Sequence, residues 1–109
     1  MEIHLTEQKC VACEGGMPPL TREEAAILLR QVPGWQLSED GAWLSRSYDF
    51  ADFKEALAFM DRVGALAESE GHHPDLHLTG FRHVRIDLST HAIGGLSQND
   101  FILAAKIDA

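Results

Sequence analysis

Apolar residues recur along this chain in two rhythms, and the rhythm changes at residues that break structure. After Thr21-Arg22-Glu23-Glu24, a capping-box sequence, Ala25, Leu28, Leu29 and Val32 follow at helical spacing until Pro33-Gly34 stops the run. Trp35 to Leu37 and Ala42 to Tyr48 read as strands joined by the turn residues Glu39-Asp40-Gly41. Asp49 or Asp52 caps a longer helix whose stripe is Phe53, Leu57, Met60, Gly64 and Ala67, widened by Ala56 and Val63. That helix ends near Glu70-Gly71, where glycine suits the left-handed position after a helix. Leu76 to Leu78 reads as a strand and Thr79-Gly80 as a turn or bulge. Val84, Ile86 and Leu88 then alternate with His83, Arg85 and Asp87, as in a half-buried strand. Gly94-Gly95 lies in a loop, and Ser97-Gln98-Asn99-Asp100 opens a last helix through Ile107.

The order is helix, strand, strand, helix, strand, strand, helix. Strands joined as hairpins favour an antiparallel sheet, and amphipathic helices need a sheet face to bury their stripes. The expectation is an α+β two-layer sandwich. Residues 1–19 show no period and read as an N-terminal arm; residues 20–109 form a single domain. A length of 109 residues with 45% apolar and 24% charged residues suits one soluble domain with its own core.

The net charge of −8 and the lack of a basic cluster argue against nucleic acid and anionic membranes as partners. No apolar run approaches the ~18 residues of a membrane span. The first residues lack the basic start and apolar stretch of a signal peptide, so a cytoplasmic location is expected.

Two features carry candidate chemistry. Cys10 and Cys13 form one Cys-x-x-Cys, which suggests half a zinc site or a redox pair. Zinc needs about four ligands, and the residues after Cys13 do not open a helix as a thioredoxin-like site would. The second feature is histidine. Of six, His72, His73, His77 and His83 crowd one stretch and His91 follows at a strand end before Gly94-Gly95. An imidazole, with an unperturbed pKa near ~6.5, both gives and takes protons near neutrality. Pro74 holds His73 towards extended geometry. Three histidines could also ligate zinc, but His73-x-x-x-His77 is interrupted by Pro74.

Glu70-Gly71-His72-His73-Pro74-Asp75, Leu88-Ser89-Thr90-His91 and Gly95-Leu96-Ser97-Gln98-Asn99-Asp100 together resemble the signature of pterin-4a-carbinolamine dehydratases. Pro33-Gly34-Trp35 and the segment from Ala56 to Gly64 also match, so the resemblance covers about residues 20–108. It implies a four-stranded antiparallel sheet with helices on one face, and homodimers or homotetramers. It implies dehydration of a 4a-hydroxytetrahydropterin, the carbinolamine product of pterin-dependent aromatic amino acid hydroxylases, to quinonoid dihydropterin, in tetrahydrobiopterin recycling. Pterin is then the substrate, and neither a metal nor another cofactor is required.

Carried over residue by residue, the catalytic histidines are His72, His73 and His91, with His73 and His91 as the proton-transfer pair. Glu68 orients a histidine or holds the pterin, unless it is a solvated residue of the last helical turn. Asp100 orients His91 or serves the helix start. Trp35 matches an aromatic near the pocket or packs in the core. His73 and His91 lie one residue further apart than in animal members, and Gly71 replaces a charged residue there. Three other functions remain open on this reading: a non-enzymatic partner protein of the transcriptional-coactivator kind, a pterin binder in another pathway such as molybdopterin metabolism, and a zinc protein.

Overall fold

A computed structural model describes residues 4–11 and 17–109 of the chain. Cys13 lies outside the described residues. The three helices begin where side chains satisfy their first backbone N–H groups. Thr21 and Glu24 form the reciprocal capping box of α1 (Arg22–Leu29). Asp52, rather than Asp49, caps α2 (Phe53–Glu70) by accepting from the Glu55 N–H. Asp100 reaches back to the Ser97 N–H at the start of α3 (Gln98–Asp108).

Helix α1 stops at Leu29, three residues before the expected Val32. The chain tightens there into successive i to i−3 bonds, from Arg30 to Ile27, Gln31 to Leu28 and Val32 to Leu29. Pro33 disfavours helical geometry at Val32, which is buried in the turn instead. Helix α2 ends in a Schellman motif. Gly71 takes the left-handed conformation at φ 67°, its N–H bonds to the Glu68 carbonyl, and the His72 N–H bonds to the Ala67 carbonyl.

The strands are β1 (Gln36–Leu37), β2 (Leu44–Asp49), β3 (Asp75–Thr79) and β4 (His83–Leu88). They form one antiparallel sheet in the order β1-β2-β4-β3. The β3–β4 hairpin pairs Thr79 with His83. Period two then sorts the residues. Leu44 lies opposite Leu88, and Ile86 lies between Arg46 and Leu76 on one face. Ser45, Asp87, His77 and Arg85 occupy the other. The apolar face carries the helices, as the α+β two-layer expectation requires.

The α2 stripe is rotated from the one read in the sequence. Ala56, Val63 and Ala67 are its buried positions, whereas Phe53 and Leu57 stay exposed. Phe59 packs with its ring tilted against those of Tyr48 and Phe50 at the flank.

Helix α3 is buried almost all round: Phe101, Ile102, Leu103, Ala104 and Ile107 are all core residues. A helix apolar on every side needs cover on every side. The described part of the arm supplies some of it. A short 3-10 turn at Leu5–Glu7 lies against α3, and Leu5 is buried in the core. The arm is then tied down by Glu70, which accepts from the Cys10 N–H at 3.0 Å and from Lys106 Nζ at 2.8 Å. The far end of α3 is tied to the sheet. Asp108 accepts from Trp35 Nε1, Arg46 Nη1 and the Tyr48 hydroxyl at 2.7–2.8 Å. Burial, and then that bond to Asp108, push the Tyr48 phenol above its ordinary range.

The Lys106 bond, followed by the Cys10 N–H, holds the Glu70 carboxyl below the usual carboxylate range. A depressed folded-state value means that its stabilisation is present above the unfolded value, near ~4.3, and is lost as pH falls through the folded one. Glu70→Gln should therefore cost about 2 kcal/mol in urea unfolding at pH 7. The gap between variant and wild type should close as the pH is taken below about 4. A gap independent of pH would show that the ionised carboxylate is not what ties the arm.

Candidate active site

The Schellman turn that ends α2 delivers His72 into the molecule rather than to solvent. Its side chain is 12% exposed, and its Nε2–H donates to Asp100 Oδ1 at 2.6 Å. Asp100 is fully buried. Its other oxygen accepts from the Thr90 hydroxyl at 2.8 Å and from the Ser97 N–H at 3.0 Å. Thr90 spends its one proton on Asp100, so the Ser97 hydroxyl, 2.8 Å away, donates to Thr90. A buried carboxylate is tolerable when its lone pairs are filled in this way. With Nε2 committed to Asp100, Nδ1 is the His72 nitrogen left to meet a ligand.

His73 and His91 sit differently. Pro74 leads the chain from His73 directly into β3, and His73 Nε2–H donates to Glu68 Oε1 at 2.5 Å. Both partners are exposed, with 61% and 78% of their side-chain areas open to water. His91 follows the end of β4 and opens a 3-10 turn, His91–Ile93, closed by Gly94 at φ 69°. Thr90 fixes that turn from behind through reciprocal backbone bonds with Gly95. Among the described residues no side-chain hydrogen bond holds the His91 imidazole. His72, His73 and His91 line one cavity of about 300 Å³, bordered also by Val11, Thr90 and Asn99.

The structure thus gathers five of the seven residues singled out above: the three histidines, Glu68 through His73, and Asp100. Asp100 reaches His72, not His91. Pro74 acts through the backbone. Trp35 is buried at the other end of α3, bonded to Asp108 and absent from the cavity lining. Asp100 and Asp108 are eight positions apart, roughly 12 Å along the helix. Thr90 and Asn99 were not singled out, although both lie inside the quoted motifs. Their signal was position beside a histidine and beside a carboxylate, which spacing alone does not distinguish from ordinary strand-end and capping roles.

A larger depression, about 640 Å³, lies on the open sheet face around Trp43, His77, Arg85 and Asp87. Burial raises the Asp87 carboxyl, but hydrogen bonds from Ser45 and Arg85 outweigh it and hold the group below its ordinary range. His77 is bound to the same carboxylate at 3.0 Å. These groups satisfy one another, so the smaller cavity, where imidazoles converge, is the better candidate. Burial and then Glu70 push the Cys10 thiol up to about 12, which leaves it protonated and unreactive near neutral pH. Among the described residues no three His, Cys, Asp or Glu side chains are grouped to hold a metal ion.

Thr90→Val keeps the shape but takes a donor from a buried carboxylate. It should lower the urea-unfolding free energy by about 1–3 kcal/mol. Asp100→Ala, which strips the partner from His72 and its neighbours together, should cost more, about 3–5 kcal/mol. Equal and negligible losses would mean that the network is not a buried one.

Residues 18–109 match the family model described as pterin 4 alpha carbinolamine dehydratase. A protein of Methylococcus capsulatus to which that activity is provisionally assigned is 50% identical over 95% of this chain and 90% of its own. Pterin-4-alpha-carbinolamine dehydratase 2, mitochondrial, of Arabidopsis thaliana is also 50% identical, over 95% of this chain and 57% of its own. A crystal structure of a transcriptional coactivator/pterin dehydratase from Brucella melitensis superposes with a TM-score of 0.76 at 32% identity, covering 83% of this chain and 95% of the other. A pterin dehydratase-like protein identified as a RuBisCO assembly factor in the alpha-carboxysome superposes with a TM-score of 0.58 at 25% identity, over 69% and 86%. By its sequence and its fold, this chain belongs to the pterin-4-alpha-carbinolamine dehydratase family.

Proposed function

We propose that this protein dehydrates a 4a-hydroxytetrahydropterin to quinonoid dihydropterin by general acid–base catalysis. One observation carries the reading: imidazoles from two distant segments, residues 72–73 and 91, border a single cavity. The reaction needs that arrangement. A base takes the proton from N5, the N–H electrons become the C4a=N5 double bond, and the C4a–O bond breaks as an acid protonates the departing hydroxyl. Water leaves, and proton exchange between the two groups through solvent restores both. His73 and His91, open to solvent on one side, are the proton-transfer pair, and Glu68 steadies His73. His72, clamped by Asp100, orients the pterin through its remaining nitrogen.

The supply of carbinolamine implies a pterin-dependent hydroxylase upstream, and this chain's role would be recycling of the tetrahydropterin. Assembly into homodimers or homotetramers is part of the same proposal. Phe53 and Leu57, 49% and 41% exposed on the outer face of α2, support it, because burial against a second copy would remove that apolar area from water. Among the described residues no helix is long and apolar enough to cross a membrane.

The decisive measurement is a stopped-flow ultraviolet trace of carbinolamine decay in EDTA, with and without protein. Wild-type protein should accelerate it, and His73→Ala with His91→Ala should remove most of that, since each positioned acid or base contributes ~10²–10⁴-fold. Wild-type turnover in the double variant would sink the assignment. An inert wild type would shift the reading to a partner protein or a binder in another pterin pathway. Light scattering should show an oligomer that Leu57→Glu dissociates. A monomer in both would remove the α2 face from the assembly.

A further inference from the structure

Resting on the dehydratase reading, we infer that the N-terminal arm is part of the substrate site: Val11, held in place by Asn99, forms the wall that meets the substituent on C6 of the pterin. The first support is placement. Val11 borders the cavity that holds His72, His73 and His91, although it is 61 positions or more from them in sequence. Val11 is 70% exposed, an apolar residue on the rim rather than in the core.

The second support is the mounting. The Asn99 side chain accepts from the Val11 N–H at 3.0 Å and donates to the Val11 carbonyl at 2.5 Å, so one carboxamide fixes both backbone groups of a single arm residue. Asn99 is itself buried. One residue back, the Cys10 N–H is held by Glu70 and its thiol donates to the Asn99 carbonyl at 3.6 Å. Both anchors neighbour the catalytic apparatus. Glu70 lies two residues before His72, and Asn99 directly precedes Asp100, the carboxylate that holds His72. The arm therefore bridges the end of α2 and the start of α3, the two elements that present the His72 imidazole, and its rim residue is hydrogen-bonded to one of them.

The third support is the chemistry of the substrate. C6 is bonded to N5, the atom that loses its proton. Any pose that brings N5 and C4a to the histidines therefore puts the C6 substituent at the border of the cavity, beside the reacting edge. An apolar side chain there contacts the substituent without competing for the protons. Asn99 is a positioning residue, acting through the arm; Val11 makes the contact.

The test compares two carbinolamines, one with methyl at C6 and one with a dihydroxypropyl chain, using the full-length protein. Val11→Ala should change the ratio of the two kcat/KM values by about threefold or more. Val11→Trp, which crowds the rim, should raise KM for the longer substituent by ~10-fold, with a much smaller fall in kcat, the scale at which pocket walls discriminate. Asn99→Ala should shift KM in the same sense. Should Asn99→Ala prove unstable, the Val11 variants still decide, since an exposed side chain can be changed without unfolding the domain. Unchanged KM values and an unchanged ratio in both Val11 variants, with an active wild type, overturn the inference and leave the dehydratase reading standing. A wild type that neither accelerates decay nor binds a stable dihydropterin overturns both.

Discussion

The carboxylate of Asp100 is the constraint around which the site is organised. It is fully buried, and a buried charge without donors costs several kcal/mol. Its donors come from three separate parts of the chain: His72 after α2, Thr90 after β4, and the Ser97 backbone at the start of α3. Satisfying one carboxylate therefore fixes how three element ends meet. Among the described residues no buried side-chain nitrogen or oxygen is left without a partner, so this convergence is complete.

The same requirement gives the histidines different surroundings. His72 is immobilised by a buried partner, whereas His73 and His91 stand at the open side with water available. The roles proposed above suit these surroundings, since a binding group gains from being fixed in advance and proton carriers need exchange with solvent. The arm belongs to this arrangement. By covering α3 with Leu5 and bridging α2 and α3 at Cys10 and Val11, it joins core cover and cavity rim in one strap. The polar sheet face is organised on another principle, with Asp87 satisfied by Ser45, Arg85 and His77, and its groups are engaged with one another.

Local patterns were legible wherever the cause is local. The capping sequences at Thr21 and Ser97, the helix stop at Gly71 and the alternation of Val84, Ile86 and Leu88 all act within a few residues, and each appears in the fold. The α2 stripe was less legible. Seven apolar positions span too wide an arc to say which half faces the sheet, and packing chose Ala56, Val63 and Ala67 over Phe53 and Leu57. Trp35 illustrates a related limit: an indole suits a pocket wall or a core equally well. Here its N–H found Asp108, so it serves the core end of α3.

By itself the sequence determined the order of elements and the family, because periodicity, capping and short motifs are properties of local segments. Only the tertiary structure decided which groups meet. Asp100 serves His72 and not His91, Val11 reaches a cavity built far along the chain, and Glu70 ties the arm to Lys106 of α3. Those pairings depend on how α2, β4 and α3 close upon one another. Closure is set by burying α3 on all sides and by filling the lone pairs of one carboxylate, and neither demand is written at any single position.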